Sequence, residues 1–166
     1  MNELSLTEEW KHLGPLLVPF LVRCGIAAVC GGVIGMEREL KHKPAGLRTN
    51  ILICVGSAMY MAVGLLLMPA GATNVDPTRI AAQVVTGIGF LGAGCIIQQG
   101  GRITGLTTAA TIWVVAAIGL VAGAGHPLLA LIAALIVLAT LAVLAPIEER
   151  LFHPSHSDDF HNDQKR

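Results

Sequence analysis

The chain has 166 residues, 54% hydrophobic and 13% charged, and its 11 basic and 11 acidic side chains cancel to a formal charge of zero. Soluble domains carry ~25% charged residues, so this chain has about half the usual charge, and its apolar residues cluster in five runs that point to a polytopic membrane protein rather than a soluble fold. A neutral chain also offers no bulk attraction to nucleic acid.

The chain opens with residues 1–15, beginning MNELSLTEEWKHLG, which is acidic and amphipathic. It lacks the basic start and short apolar core of a signal peptide, so it is expected to be retained as an N-terminal segment. The first apolar run covers residues 16–36. A helix needs about 20 apolar residues to cross ~30 Å of hydrocarbon at ~1.5 Å per residue, and this run suffices. It contains one charge, Arg23. An arginine at a helix centre costs about 2.5–3.5 kcal/mol on insertion scales, so Arg23 is expected to snorkel outward or to pair with Asp76. Gly31 and Gly35 have the G-x-x-x-G spacing that lets membrane helices approach closely.

The connection that follows, GMERELKHKPAGLRTN, concentrates Glu37, Arg38, Glu39, Lys41, Lys43 and Arg48 at one membrane interface, with a turn at Pro44-Ala45-Gly46. Its basic residues suit either a topological anchor or attraction to anionic lipid, and Glu37 or Glu39 could touch a hydrated cation. The second run, residues 48–68, opens on Arg48 and Thr49 and aligns Asn50, Ser57, Tyr60 and Gly64.

The third run, residues 79–98, places Arg79, Gln83, Thr86 or Gly87, and Phe90 on one helical face. It contains GIGFLGAG, with Gly87, Gly89, Gly92 and Gly94, which spells the G-x-G-x-x-G of a dinucleotide-binding turn. That motif works only after a strand and at the start of a helix in a βαβ unit. An uncharged run in lipid must bond its backbone internally, and a helix interior has no free N–H groups for a pyrophosphate. The glycines therefore read either as a helix contact surface or as a local helix break of the kind found at transporter sites.

The fourth run, residues 107–124, starts with Thr107, Thr108 and Thr111, continues with Trp113, and contains a second G-x-x-x-G pair, Gly119 and Gly123. The polar or small stripes of the second, third and fourth runs are expected to face one another, as interhelical hydrogen bonds or as a polar pathway for an ion. No Asp or Glu lies deep in a run, so no carboxylate relay is visible. The fifth run is residues 127–146. Residues 147–166 read as a disordered cytoplasmic tail, in which His153, His156, Asp158, Asp159, His161 and Asp163 could bind a metal only weakly, with nothing to fix their geometry. Cys24, Cys30, Cys54 and Cys95 all fall inside the runs and read as packing residues.

Lysine and arginine concentrate in the first and third connections and the tail. The positive-inside rule then gives the expected fold class: an all-α integral membrane protein of five transmembrane helices, N-terminus outside and C-terminus cytoplasmic. G-x-S-x-G, P-loop and H-E-x-x-H motifs are missing from the sequence, so neither an enzyme nor a bound cofactor is expected.

Three segments in order, GGVIGMEREL followed by PAGLRTNILICVGSAMYM, then DPTRIAAQVVTGIGFLGAGCII, then GLTTAATIWVVAAIGLVAGAG, resemble the MgtC/SapB membrane family over most of residues 31–125. The resemblance implies a bacterial inner-membrane protein linked to magnesium limitation, and in pathogens to survival inside host cells. Members are often labelled magnesium transporters, while the best-studied ones look more like regulators of other membrane machines, including the proton-driven ATP synthase. Longer relatives add a soluble C-terminal domain, so this sequence looks like a short form. The residues that match the family's motifs are Glu37, Arg38, Gly46, Leu47, Arg48 and Thr49, then Asp76, Arg79, Gly87, Gly89, Phe90, Gly92 and Gly94, then Gly105, Leu106, Thr107, Thr108, Ala109, Ala110, Thr111 and Trp113. Gln83 joins them as part of the polar face beside GIGFLGAG. Two functions follow as expectations. One is a non-catalytic regulator that contacts membrane lipids, itself and other inner-membrane proteins through glycine-rich faces. The other is an oligomeric magnesium or ion transporter lined by the third and fourth runs.

Overall fold

The structure, a computed structural model, describes residues 3–66, 76–99 and 102–152. It contains α1 (Glu3–Leu40), α2 (Leu47–Leu66), α3 (Thr78–Gly94), β1 (Ile97–Gln99), β2 (Arg102–Thr104), α4 (Leu106–Gly123) and α5 (Pro127–Phe152). The first helix takes in the N-terminal segment from Glu3 onward, and the last runs on into the tail as far as Phe152. Residues 153–166, with the His/Asp group of the tail, lie outside the described residues.

Among the described residues, four helices are long and apolar enough to cross a membrane: Leu13–Leu40, Leu47–Leu66, Leu106–Gly123 and Pro127–Leu144. The expectation of five transmembrane helices is corrected on this point. The third apolar run stays uncharged to Ile97, but its helix stops at Gly94 after 17 residues, about 25 Å at 1.5 Å per residue. Ile97 already belongs to β1, which pairs antiparallel with β2 in the register Ile97 with Thr104, Gln98 with Ile103 and Gln99 with Arg102. Apolar residues counted towards a span therefore serve a hairpin. The helix itself is unbroken from Thr78 to Gly94, which removes the local-break reading of GIGFLGAG. The fold does not assign sides of the membrane, so the expected N-out, C-in orientation is dropped with the fifth span, and the two ends of the bundle are named below by Arg38 and by Arg23.

Helices α1, α2 and α4 form the centre, with α5 against α1 and α4. The core holds Ala27, Cys30 and Ile34 from α1, Cys54 and Ala58 from α2, Val115, Ile118 and Ala122 from α4, and Ala130 and Ala134 from α5. Within each helix these recur at three- or four-residue intervals, the spacing of one buried face. Cys30 and Cys54 thus pack as small apolar residues, and all four cysteines are free thiols.

Both G-x-x-x-G pairs lie against α2, one from α1 and one from α4. A Cβ on Gly31 would lie 2.6 Å from the Asn50 carbonyl oxygen and 2.8 Å from Cys54 Cβ, and one on Gly35 would lie 2.8 Å from Leu47 Cα. From α4, a Cβ on Gly119 would fall onto the Cys54 carbonyl oxygen and 2.9 Å from Ser57 Cβ, and one on Gly123 would lie 2.8 Å from Ala58 Cα. Only glycine permits this approach of backbones.

Helix α1 ends in a Schellman turn, with Lys43 N–H bonded to the Arg38 carbonyl and His42 N–H to the Glu39 carbonyl, both at 3.0 Å. The left-handed position of that turn is occupied by His42, with φ of 51°, where glycine is the usual residue. His42→Gly is expected to stabilise the bundle by about 0.5 kcal/mol, the relief of left-handed strain less the greater freedom of the unfolded chain. Thermal unfolding in detergent would register this as a raised midpoint. Helix α4 ends in the same turn, with Gly125 at φ 89° and His126 N–H bonded to the Val121 carbonyl at 3.2 Å.

Candidate functional site

The sequence puts Glu37 and Arg38 at the end of α1, one turn beyond the Gly31/Gly35 contact with α2. That contact draws the helix end into the bundle. Arg38 is 3% exposed, and its Nη2 donates to Thr108 Oγ1 of α4 at 3.2 Å, across 70 residues of chain. Its Nε has no partner, and Arg38 forms no ion pair among the described residues. Glu37 pairs with Lys41 one turn on, with Nζ 2.7 Å from Oε1, which leaves Oε2 without a partner. Lys41 also donates to the Leu141 carbonyl of α5 at 3.1 Å. Glu39 is spent on structure: its Oε2 accepts from Leu47 N–H at 3.0 Å, capping the start of α2, with Gly46 packed against the same oxygen.

Asn50 completes this end and is fully buried. Its amide nitrogen donates to the Ala45 and Gly46 carbonyls, both at 2.8 Å, while its Oδ1 has no partner. The Arg38 end therefore holds two buried groups with hydrogen-bonding capacity unmet, the Arg38 Nε and the Asn50 Oδ1, beside the Glu37–Lys41 ion pair. Each such buried group costs about 1–3 kcal/mol, so stability alone does not account for the set.

Of the residues singled out from sequence, Glu37, Arg38 and Gly46 lie in this region, and Arg38 meets Thr108. Thr111 is buried one turn on but bonds to its own helix, at the Thr107 carbonyl. Arg48, Thr49 and Thr107 are exposed, and Trp113 is half exposed. Asn50 was seen only as part of a stripe. Its fixing of the Ala45-Gly46 turn has a sequence signal, an amide four residues past a Pro-Ala-Gly.

Arg23 does not meet Asp76. Its Nη1 donates to the Gly123 carbonyl at 3.0 Å, one of the carbonyls at the C-terminus of α4 that no helical N–H can reach, where a cation also suits the helix dipole. Asp76 Oδ1 instead accepts from Thr78 N–H at 2.9 Å and Thr78 Oγ1 at 2.7 Å. Those two bonds hold the Asp76 carboxyl below its ordinary value of 3.8. The depressed pKa means that the contribution of Asp76 is present above the ordinary value and is lost as pH falls through the folded one. Asp76→Ala is therefore expected to loosen the start of α3 at neutral pH and to make no difference in strong acid, as read by hydrogen exchange at Thr78–Ile80.

Helix α3 carries the remaining candidates, Arg79, Gln83, Gly87, Gly89, Phe90, Gly92 and Gly94. It packs on α4 and only lightly on α2. Gly92 meets Ala109 at ordinary contact distance, 3.7 Å, whereas a Cβ at Gly87, Gly89 or Gly94 would meet nothing within 4 Å. Arg79 and Gln83 are exposed, and Phe90 is 81% exposed. Asn50 and Ser57 of α2 and Thr108 and Thr111 of α4 are thus buried in the bundle, while Tyr60, Thr107 and Trp113 and the polar face of α3 stand outside it. Between α2 and α3 runs an open groove of about 440 Å³, walled by residues such as Leu52, Ile53, Val84 and Leu91 and reached by Ser57 and Gln83. Among the described residues no group of three or more His, Cys, Asp or Glu side chains could hold a metal ion.

The MgtC family profile matches residues 24–150. YhiD of Escherichia coli (strain K12) is 45% identical over 141 residues, covering 82% of this chain and 66% of YhiD. Protein MgtC of Brucella abortus (strain 2308) is 45% identical over 125 residues, 75% of this chain and 51% of that protein. Protein MgtC of Salmonella typhimurium is 40% identical over 136 residues, 82% of this chain and 57% of that protein. The chain thus spans between about half and two thirds of the length of these relatives. No solved structure matches it. A match from Cys24 to Arg150, over the helices that carry the Arg38 cluster and the α3 glycines, shows that this multi-pass membrane chain belongs to the MgtC family.

Proposed function

We propose that the chain serves magnesium homeostasis in the bacterial inner membrane as a non-catalytic protein that acts on other membrane proteins, ATP synthase among the candidates. The observation that carries this reading is the buried Arg38, a cation that forms no ion pair among the described residues, at one end of a seam filled by Ile34, Val115, Ile118 and Ala122. A fixed positive charge in a packed, poorly polarisable interior repels a divalent cation, as arginines do in cation-excluding pores. The interior of a single chain is therefore a barrier to magnesium. The open face of α3, with its unburied glycines, is a surface open to contact, whereas the paired glycines of α1 and α4 are already used inside the bundle.

The competing reading is magnesium transport, which the name of YhiD proposes for that protein. Ser57 and Gln83, in the groove outside the filled core, favour it only for an oligomer with a path between chains. In a strain lacking its own MgtC-type protein, the chain is expected to restore growth at limiting magnesium without faster magnesium uptake. Uptake that rises in proportion to the amount of protein would overturn the regulator reading.

A further inference from the structure

We propose that a groove at the Arg23 end of the bundle holds a phospholipid of net negative headgroup, its phosphate on the Arg23 guanidinium and an acyl chain laid along α1. The groove is open, about 180 Å³ in volume, and lies between α1 and the start of α5. Pro19, Val22, Ile26 and Pro127 form its apolar wall, with Arg23 and Gly125 at its polar corner.

The chain itself fixes the depth of the guanidinium. Helices α4 and α5 are both long and apolar enough to span the membrane, so the turn that joins them, residues 124–126, lies where hydrocarbon ends. The 18 residues of α4 rise about 27 Å, close to the ~30 Å of a bilayer core, which puts its two ends at opposite boundaries. Arg23 is bonded to the last of those residues, at the Gly123 carbonyl. A Cβ on Gly125 would lie 3.2 Å from Nη2 and 3.4 Å from Cζ. The guanidinium thus lies along the turn, at the edge of the apolar layer, where lipid headgroups begin.

Its charge is unspent there. Arg23 forms no ion pair among the described residues, and its bond to Gly123 is its one hydrogen bond among them. A guanidinium carries several N–H donors and matches phosphate oxygens in pairs, so Nη2 and Nε retain donors for a phosphate. Towards the Arg38 end, Val29, Val33 and Met36 of α1 are exposed and continue the helical face of Val22. A free phosphate would give up water to apolar walls for a single cation. A phospholipid brings the same phosphate already joined to a chain that can cover this face. A zwitterionic headgroup would add an ammonium beside the guanidinium, a like charge that a net negative headgroup avoids.

The test is native mass spectrometry of the purified full chain, titrated in detergent with phosphatidylglycerol or with phosphatidylcholine. Wild type is expected to retain phosphatidylglycerol in preference to phosphatidylcholine. Arg23→Gln keeps a donor for the Gly123 carbonyl, and should weaken phosphatidylglycerol retention about tenfold or more, the scale of a lost charge-assisted hydrogen bond. The preference should vanish with it, and Arg23→Lys should recover part of both. Val22→Trp changes an exposed wall residue and fills the groove with the guanidinium in place. It should weaken retention while leaving the thermal midpoint in detergent unchanged, which separates a blocked groove from a failed fold. Excess inorganic phosphate should not displace the lipid. A wild type without lipid or without preference, or an Arg23→Gln or Val22→Trp variant that retains lipid as wild type does, would overturn the proposal. Displacement by inorganic phosphate would overturn the lipid as occupant in favour of a free anion.

Discussion

Gly119→Ala is expected to destabilise the bundle by about 1–3 kcal/mol, the usual penalty for forcing a methyl into a packed interior, while Gly87→Ala is expected to stabilise it. The chemical change is the same, a methyl added within a membrane-protein helix. In isolation it favours the helix by about 0.8–1.0 kcal/mol. At Gly119 the added carbon falls onto the Cys54 carbonyl oxygen and close to Ser57 Cβ. Those are backbone and first side-chain atoms of a neighbouring helix, which cannot swing aside, so α2 and α4 must part along their buried seam. At Gly87 nothing lies within 4 Å, and the helical preference acts alone. Unfolding in mixed detergent micelles, at dilutions where the chain is monomeric, should therefore shift in opposite directions for the two variants. A shift of the same sign in both would mean that α4 does not touch α2 as closely as Gly119 indicates.

The second large effect concerns Arg38. Arg38→Met should keep stability within about 1 kcal/mol of wild type, because a buried guanidinium that forms no ion pair contributes little that an apolar side chain of similar length does not. The same variant should lose support of growth at limiting magnesium. Arg38→Lys should not restore that support, because lysine lacks the planar fork that reaches Thr108 and still leaves Nε–H exposed to a further partner. If Arg38 is merely a structural pin, the methionine variant will instead unfold early, and growth will track the amount of folded protein.

The contrast between Gly119 and Gly87 also marks what could be read before the fold was known. Both lie in apolar runs and both have small residues at helical spacing. The pairs Gly31/Gly35 and Gly119/Gly123 read correctly as close helix contacts, because an interval of four lies on one face wherever that face points. Gly87, Gly89 and Gly94 have the same local spelling but point away from the bundle. Which face is covered depends on how five helices pack, and no single helix encodes it. The hairpin was legible in part: Ile97-Gln98-Gln99 and Arg102-Ile103-Thr104 flank a Gly-Gly, a sequence form typical of hairpin turns. It was passed over because Ile97 also extends an uncharged run, and hydropathy counting does not distinguish a helix from a strand.

At the Arg38 end, the residue types were visible and their pairing was not. Arg38 and Thr108 each stand in a motif, but 70 residues separate them. Arg23 shows the reverse failure. Asp76 was the nearest letter that could neutralise it, whereas the real acceptor is the Gly123 carbonyl, a backbone group that any residue supplies. Polar side chains in membrane helices commonly find such backbone acceptors at helix ends, where no helical N–H competes.

The central claim is that the interior of this chain excludes magnesium and that its role lies in contact with other proteins. Purified protein in sealed liposomes, with a magnesium-sensitive dye inside and a magnesium gradient across the bilayer, tests it most directly. The leak is expected to be no faster than that of protein-free liposomes, both for wild type and for Arg38→Met. Saturable magnesium entry that scales with protein density would contradict it.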